Sequence, residues 1–247
     1  MWRCFYKMFH KTQGIVLSAT KYNDRFSIAQ VFTSDFGRTA YMLPISKSKK
    51  PKINPALFYP LSVIDMEVEH FPLRQIHRLK DVQRQFPLYS INVNVIKLSI
   101  AFFLSEFLTK VLQETNENKV VFCFIKDSII TLEEKDRGLA NFHLAFMFNL
   151  AQFLGIAPNL DDYHKDSLFD LMNGEYAFGK RTHNHYLNFK QSNFLNVLKK
   201  INYSNMHLYQ LSQGDRNLLI NFMLDYYRMH VYDFAEIKSL EVLRELY

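Results

Sequence analysis

Apolar and polar positions alternate through the first third of this chain and recur at threes and fours through the rest, so the period of the pattern divides the sequence. Residues 12–18 read as a strand, and Gly14 within it predicts a bulge or sharp coil. Residues 26–33 follow, with Phe26, Ile28 and Phe32 on one face and Ala29 and Val31 on the other. Gly37 can take the positive φ of a tight hairpin and leads into a third strand over residues 38–43. Residues 61–69 alternate most cleanly: Ile64, Met66 and Val68 point one way, Asp65, Glu67 and Glu69 the other. Pro60 marks their start, and a more weakly patterned fifth strand spans residues 76–82. Short strands in this order, with a basic loop between the third and fourth, predict an OB-type Greek-key barrel; an SH3-like barrel would give much the same pattern.

After Phe86-Pro87-Leu88 the period changes. Val93, Ile96, Ile100, Phe103, Leu104, Phe107, Leu108 and Val111 form one helical stripe. Leu98, Ala101 and Phe102 are apolar too, which predicts a helix buried nearly all round. Further helices are expected over residues 120–132, 139–154, 189–201, 213–230 and 236–246, the second of these closed by Gly155 with Pro158 beyond. The expected fold class is therefore α+β and multi-domain: an N-terminal OB-fold barrel over residues 8–86, then an all-α domain over 87–247. Residues 1–7 are expected to be an extension, with Met8 an alternative start.

Charge sharpens this division. The chain of 247 residues has a net charge of +6, yet residues 1–86 hold 14 Lys and Arg against 6 Asp and Glu, whereas residues 87–247 hold 16 against 18. The basic character belongs to the barrel, which points to a polyanion partner. Cys4 and Cys123 form no CxxC pair, so a disulfide framework or thiolate zinc site is unsupported and a reducing cytosolic compartment fits best. The most apolar run, residues 93–111, is broken by Lys97, Ser99, Ser105, Glu106 and Lys110, so no membrane span is expected.

Arg38, Lys47, Lys49, Lys50 and Lys52 are the expected phosphate contacts, and Tyr22, Phe36, Tyr41 and Phe58 the candidates for base stacking. Catalytic patterns are poor. Gly174 to Lys180 has the spacing of a phosphate loop, but Arg181 stands where a hydroxyl should hold magnesium. His164, His183 and His185 near Asp161 and Asp162 read better as an exposed polar loop than as metal ligands, and Glu133-Glu134-Lys135 falls at a helix end. His143 opens a helix, where capping or packing outweighs catalysis. No enzyme activity, cofactor or metal is expected.

Several segments stand in a characteristic order: Lys11-Thr12-Gln13-Gly14-Ile15-Val16-Leu17, Phe32-Thr33 leading to Phe36-Gly37-Arg38, the Ser46 to Lys50 tract, Pro60-Leu61-Ser62, Ala140-Asn141-Phe142-His143-Leu144, residues 154–160 and residues 236–243. Together they resemble the bacterial RecO recombination mediators, most closely the Bacteroidetes version. The resemblance covers nearly the whole chain from about Met8. It implies a protein that binds single- and double-stranded DNA, anneals complementary strands, acts with RecR, and engages the C-terminal tail of single-stranded DNA-binding protein (SSB) so that RecA can load. It also implies a cytoplasmic location, with nucleoid association during action. Many members carry a four-cysteine zinc insert after the position of Leu160; this chain has no cysteine beyond Cys123. Phe169, Leu171, Tyr176 and Phe178 are expected to pack where metal bonds would have been. Two other readings remain at this stage: a non-catalytic adaptor whose barrel binds protein, and a metal-dependent nuclease.

Overall fold

The computed structural model describes residues 9–46, 48, 51–71, 73–112, 117–165, 167–178 and 182–245; the expected extension at residues 1–7 lies outside them. The described chain forms two compact units. One comprises the residues up to Val93 with Ala101–Lys126, the other Asn94–Ile100 with the residues from Asp127 onward.

In the first unit, β1 (Phe9–Lys21), β2 (Phe26–Thr33), β3 (Gly37–Pro44), β4 (Val63–Glu69) and β5 (Ile76–Arg84) close a barrel in the order β1-β2-β3-β5-β4. β1 is shared: its first half pairs with β4 and its second half with β2. Closure comes from parallel pairing of β3 with β5, with Ala40 opposite Ile76 and Met42 opposite Arg78. Val16, Val31, Ile64, Met66 and Val68 fill the interior, and Phe58, from a short 3-10 turn at Pro55–Phe58, packs with them.

Two expectations change here. The register of β1 against β2 slips between Val16 and Ser18, so the bulge falls beyond Gly14. Gly14 is needed for space instead: a Cβ there would lie 2.5 Å from Val31 Cγ1 and 2.7 Å from Met66 Cε. On β4, Asp65 and Glu67 stay half-exposed as expected, but Glu69 is buried, where the strand runs into the stacked rings of His70 and His77.

Helical residues complete this unit. α1 (Tyr89–Val93) is followed by α2 (Val95–Val111) and α3 (Lys119–Glu134). The Ser105 hydroxyl donates to Leu17 O, Arg38 Nη1 to Thr109 O at 2.8 Å, and Lys126 Nζ to Gln13 Oε1 at 3.2 Å. Phe122 meets Phe32 at 5.9 Å between ring centroids. Ile15, Leu17 and Phe32 alternate with the interior positions of their strands and would face water on a bare barrel, yet they are buried. Each such burial contributes about 1.5–3 kcal/mol. Phe102 and Val95 are exposed, so α2 keeps one open side rather than being buried all round.

The second unit is built around α4 (Phe142–Phe153), whose side chains from Phe142 to Phe148 are all buried. It ends in a Schellman motif: Gly155 at φ 71° donates to Gln152 O and Ile156 to Ala151 O. Lys97, fully buried on α2, donates to Glu133 O at 2.7 Å and so satisfies a carbonyl at the end of α3. α7 (Gln213–His230) matches its expected span and starts with a Ser212–Asp215 capping box. The expected helix over 189–201 is two, α5 (Phe189–Phe194) and α6 (Asn196–Lys200), and α8 (Leu240–Glu245) begins later than expected.

This helical unit also holds a small sheet that periodicity did not reveal, so it is not wholly α. β6 (Leu168–Asp170) pairs with β7 (Glu175–Ala177) and β8 (Tyr186–Leu187). Phe169, Leu171 and Tyr176 are buried as expected, whereas Phe178 is exposed. The β6–β7 turn is organised by a carboxylate. Asp170 Oδ1 accepts from Met172 N and Asn173 N, while Oδ2 accepts from Asn173 Nδ2 at 2.8 Å and lies 3.2 Å from His183 Nε2. Burial raises the Asp170 pKa, but the hydrogen bonds from Asn173 and Met172 outweigh it and the net shift is downward. Its contribution is thus present above the usual carboxylate pKa and lost as pH falls through the lowered one. Asp170→Ala should cost about 2 kcal/mol; an unchanged thermal midpoint would show that the turn does not depend on this group.

Candidate nucleic-acid interface

Between Asp35 and Asp65 the sequence contains no acidic residue. The fold gathers that stretch into β3 and the long β3–β4 connection, and it lays β3 against β2, which is also free of acid. Asp24, exposed in the β1–β2 hairpin, is paired with Lys21 at 2.7 Å; on the other side Asp65 and Glu67 on β4 and Asp81 on β5 line a concave face with Asp35 and Lys11. Thr12 and Ser34 donate to Asp35, and with Lys119 at 3.6 Å they outweigh its partial burial and hold its carboxyl below the usual range. Negative charge is thus concentrated on the β4 side of the barrel and absent from β2 and β3 themselves.

The outward positions of β2 and β3 divide in two. At one end Phe32 and Arg38 lie under the helical residues described above. At the other, Ile28, Gln30, Ala40 and Met42 remain half-buried and open. The β1–β2 hairpin brackets this open strip with Tyr22, 65% exposed, and exposed Arg25. Ile45 N donates to Arg25 O at 2.8 Å, so the chain leaves β3 for the basic loop beside that hairpin. Arg74 and Arg78, both exposed, lie on the β4–β5 connection and β5.

The expected site residues separate accordingly. Lys47, Lys49 and Lys50 lie outside the described residues; Lys52 is exposed. Arg38 has a guanidinium nitrogen spent on Thr109 O, and burial lowers its pKa from the ordinary value, so it fastens a helix to the barrel. Tyr41 is fully buried and Phe58 nearly so; both belong to the barrel core and offer no face to a base. Phe36 is half-buried, stacked on His70 at 4.0 Å and met edge-on by His10 at 5.5 Å. Tyr22 remains open. Arg25, Arg74 and Arg78 were not among the expected contacts; they lie outside the acid-free stretch, and the pairing of β3 with β2 and β5 brings Arg25 and Arg78 beside it. Elsewhere, His183 stacks on Tyr186 and His164 meets Phe178, and no group of three metal-ligating side chains occurs among the described residues. No helix among them is long and apolar enough to cross a membrane.

The strand order and the charge pattern define the class: an OB-type barrel, followed by a helical region. Residues 8–85 match the model of the recombination protein O N terminus and residues 93–241 that of its C terminus. The DNA repair protein RecO of Phocaeicola vulgatus is 37% identical over 240 residues, covering 97% of this chain and 100% of that protein. The RecO of Azobacteroides pseudotrichonymphae is 38% identical over the same shares, and that of Flavobacterium psychrophilum 30% identical over 96% of this chain and 98% of its own length. The chain belongs to the RecO family of DNA repair proteins.

Proposed function

We propose that this protein is a recombination mediator that binds single- and double-stranded DNA and anneals complementary strands. With RecR it helps RecA load onto single strands coated by SSB, whose C-terminal tail it engages. It catalyses no reaction and works in the cytoplasm, at the nucleoid when acting. The observation that carries the reading is the acid-free β2–β3 pair, with its open strip between the exposed cations of the β1–β2 hairpin and of β5. Phosphates would meet Arg25, Lys52 and Arg78 together with Lys47, Lys49 and Lys50. Bases would lie against Tyr22 and the half-open Ile28 and Met42.

Fluorescence anisotropy with a labelled single strand at several salt concentrations tests this. With these six phosphate contacts made, log K should fall with log salt at a slope of about −4. Salt-independent affinity, or no binding, would remove the reading.

A further inference from the structure

Leu73 is wholly exposed, the most exposed apolar side chain among the described residues. It sits in the connection between β4 and β5, which in an OB barrel flanks the ligand-binding face of strands 2 and 3. Here the register fixes that relation: the connection enters β5 at Ile76, directly opposite Ala40 of β3.

The connection is held on both sides of Leu73. At its root His70 is sandwiched between Phe36, 4.0 Å away, and His77, 4.3 Å away, both rings within 11° of parallel. Phe71 N donates to His77 Nδ1 at 3.2 Å. Arg74 N donates to Phe71 O at 3.0 Å, and the Arg74 guanidinium lies 4.3 Å from the centre of the Phe71 ring. These contacts hold Phe71 and Arg74, between which Leu73 stands open to solvent. The surrounding charge is cationic: Arg74 and Arg78 are exposed, while Glu69, the nearest acid in sequence, is buried.

An apolar side chain on a pinned loop, with arginines beside it, is the arrangement with which proteins part adjacent bases while gripping the flanking phosphates. We propose that Leu73 is a wedge that enters between neighbouring bases where the barrel meets duplex DNA, with Arg74 holding the adjacent phosphate. This rests on the DNA-binding reading above and adds to it a step: opening of the stack at a duplex end or junction, where pairing of two strands begins or stops.

A short duplex carrying one 2-aminopurine reports the step, because that base brightens when unstacked. The full-length protein should raise its fluorescence, and Leu73→Met should preserve the rise. Leu73→Ala should abolish it and weaken duplex affinity about five- to ten-fold, while single-strand affinity stays within about two-fold. Since Leu73 touches no core residue, the variant should melt with the parent protein. A rise unchanged in Leu73→Ala, or equal losses for single strand and duplex, would overturn the wedge and leave DNA binding standing. Failure of the parent protein to bind either oligonucleotide would overturn both.

Discussion

Replacing Arg25, Lys52 and Arg78 together by glutamate is expected to weaken binding to a single-stranded oligonucleotide by about 100-fold or more at about 0.1 M salt, and to flatten the salt slope by about 2. All three side chains are exposed, so the loss reports the interface and leaves the barrel intact. Lys11→Glu is the matched control. Lys11 is also exposed and also on the barrel, but it faces Glu67 across the β1–β4 pair on the acidic side. If it costs about a third as much in free energy as the triple change, its share per charge, then charge on the barrel acts without regard to face and the β2–β3 assignment fails.

The second large effect concerns acid. His143 lies in α4, buried on all sides in the helical unit, and burial, helped by the Arg216 charge, lowers its pKa to about 3. The sign follows from linkage. Below the ordinary histidine pKa the unfolded chain takes up a proton that the folded chain refuses, so stability is lost as pH falls from 6.5 towards 3. The loss should reach about 2 kcal/mol at pH 5 and about 3 kcal/mol at pH 4 relative to pH 7. His143→Phe, which leaves nothing to protonate, should remove that part of the acid sensitivity. Urea unfolding followed by helical circular dichroism at pH 7 and pH 5 checks it; equal pH dependence in parent and variant would place the proton elsewhere. Asp35 and Asp170, whose pKa values are lowered, lose their contributions only below the carboxylate range and so do not confuse the comparison.

What the sequence revealed follows from the length of each pattern. β4 and α7 carry enough repeats for their period to be read, and Gly155 with Pro158 gave a C-terminus that the Schellman bonds explain. β6, β7 and β8 span three, three and two residues, too few to show alternation. Their turn depends on Asp170 and on His183, which lies 3.2 Å from it through a fold no local pattern announces. At Tyr41 the neighbours Ala40, Met42 and Leu43 are all apolar, so alternation could not say which face was inside. Arg38 showed its charge but not its partner, a carbonyl on a helix far along the chain. Composition did carry a larger fact, since the basic excess of residues 1–86 belongs to the segment that folds as the barrel.

The bonds from Ser105, Arg38 and Lys126 also set an order of events during synthesis. The barrel strands are complete once Arg84 has been made, but Ile15, Leu17 and Phe32 gain their cover only with the residues around Ser105 to Lys126. At ribosomal speeds that interval lasts about 2–8 s. Through it the newborn barrel carries an uncovered apolar flank, and chaperone dependence during translation should be concentrated there.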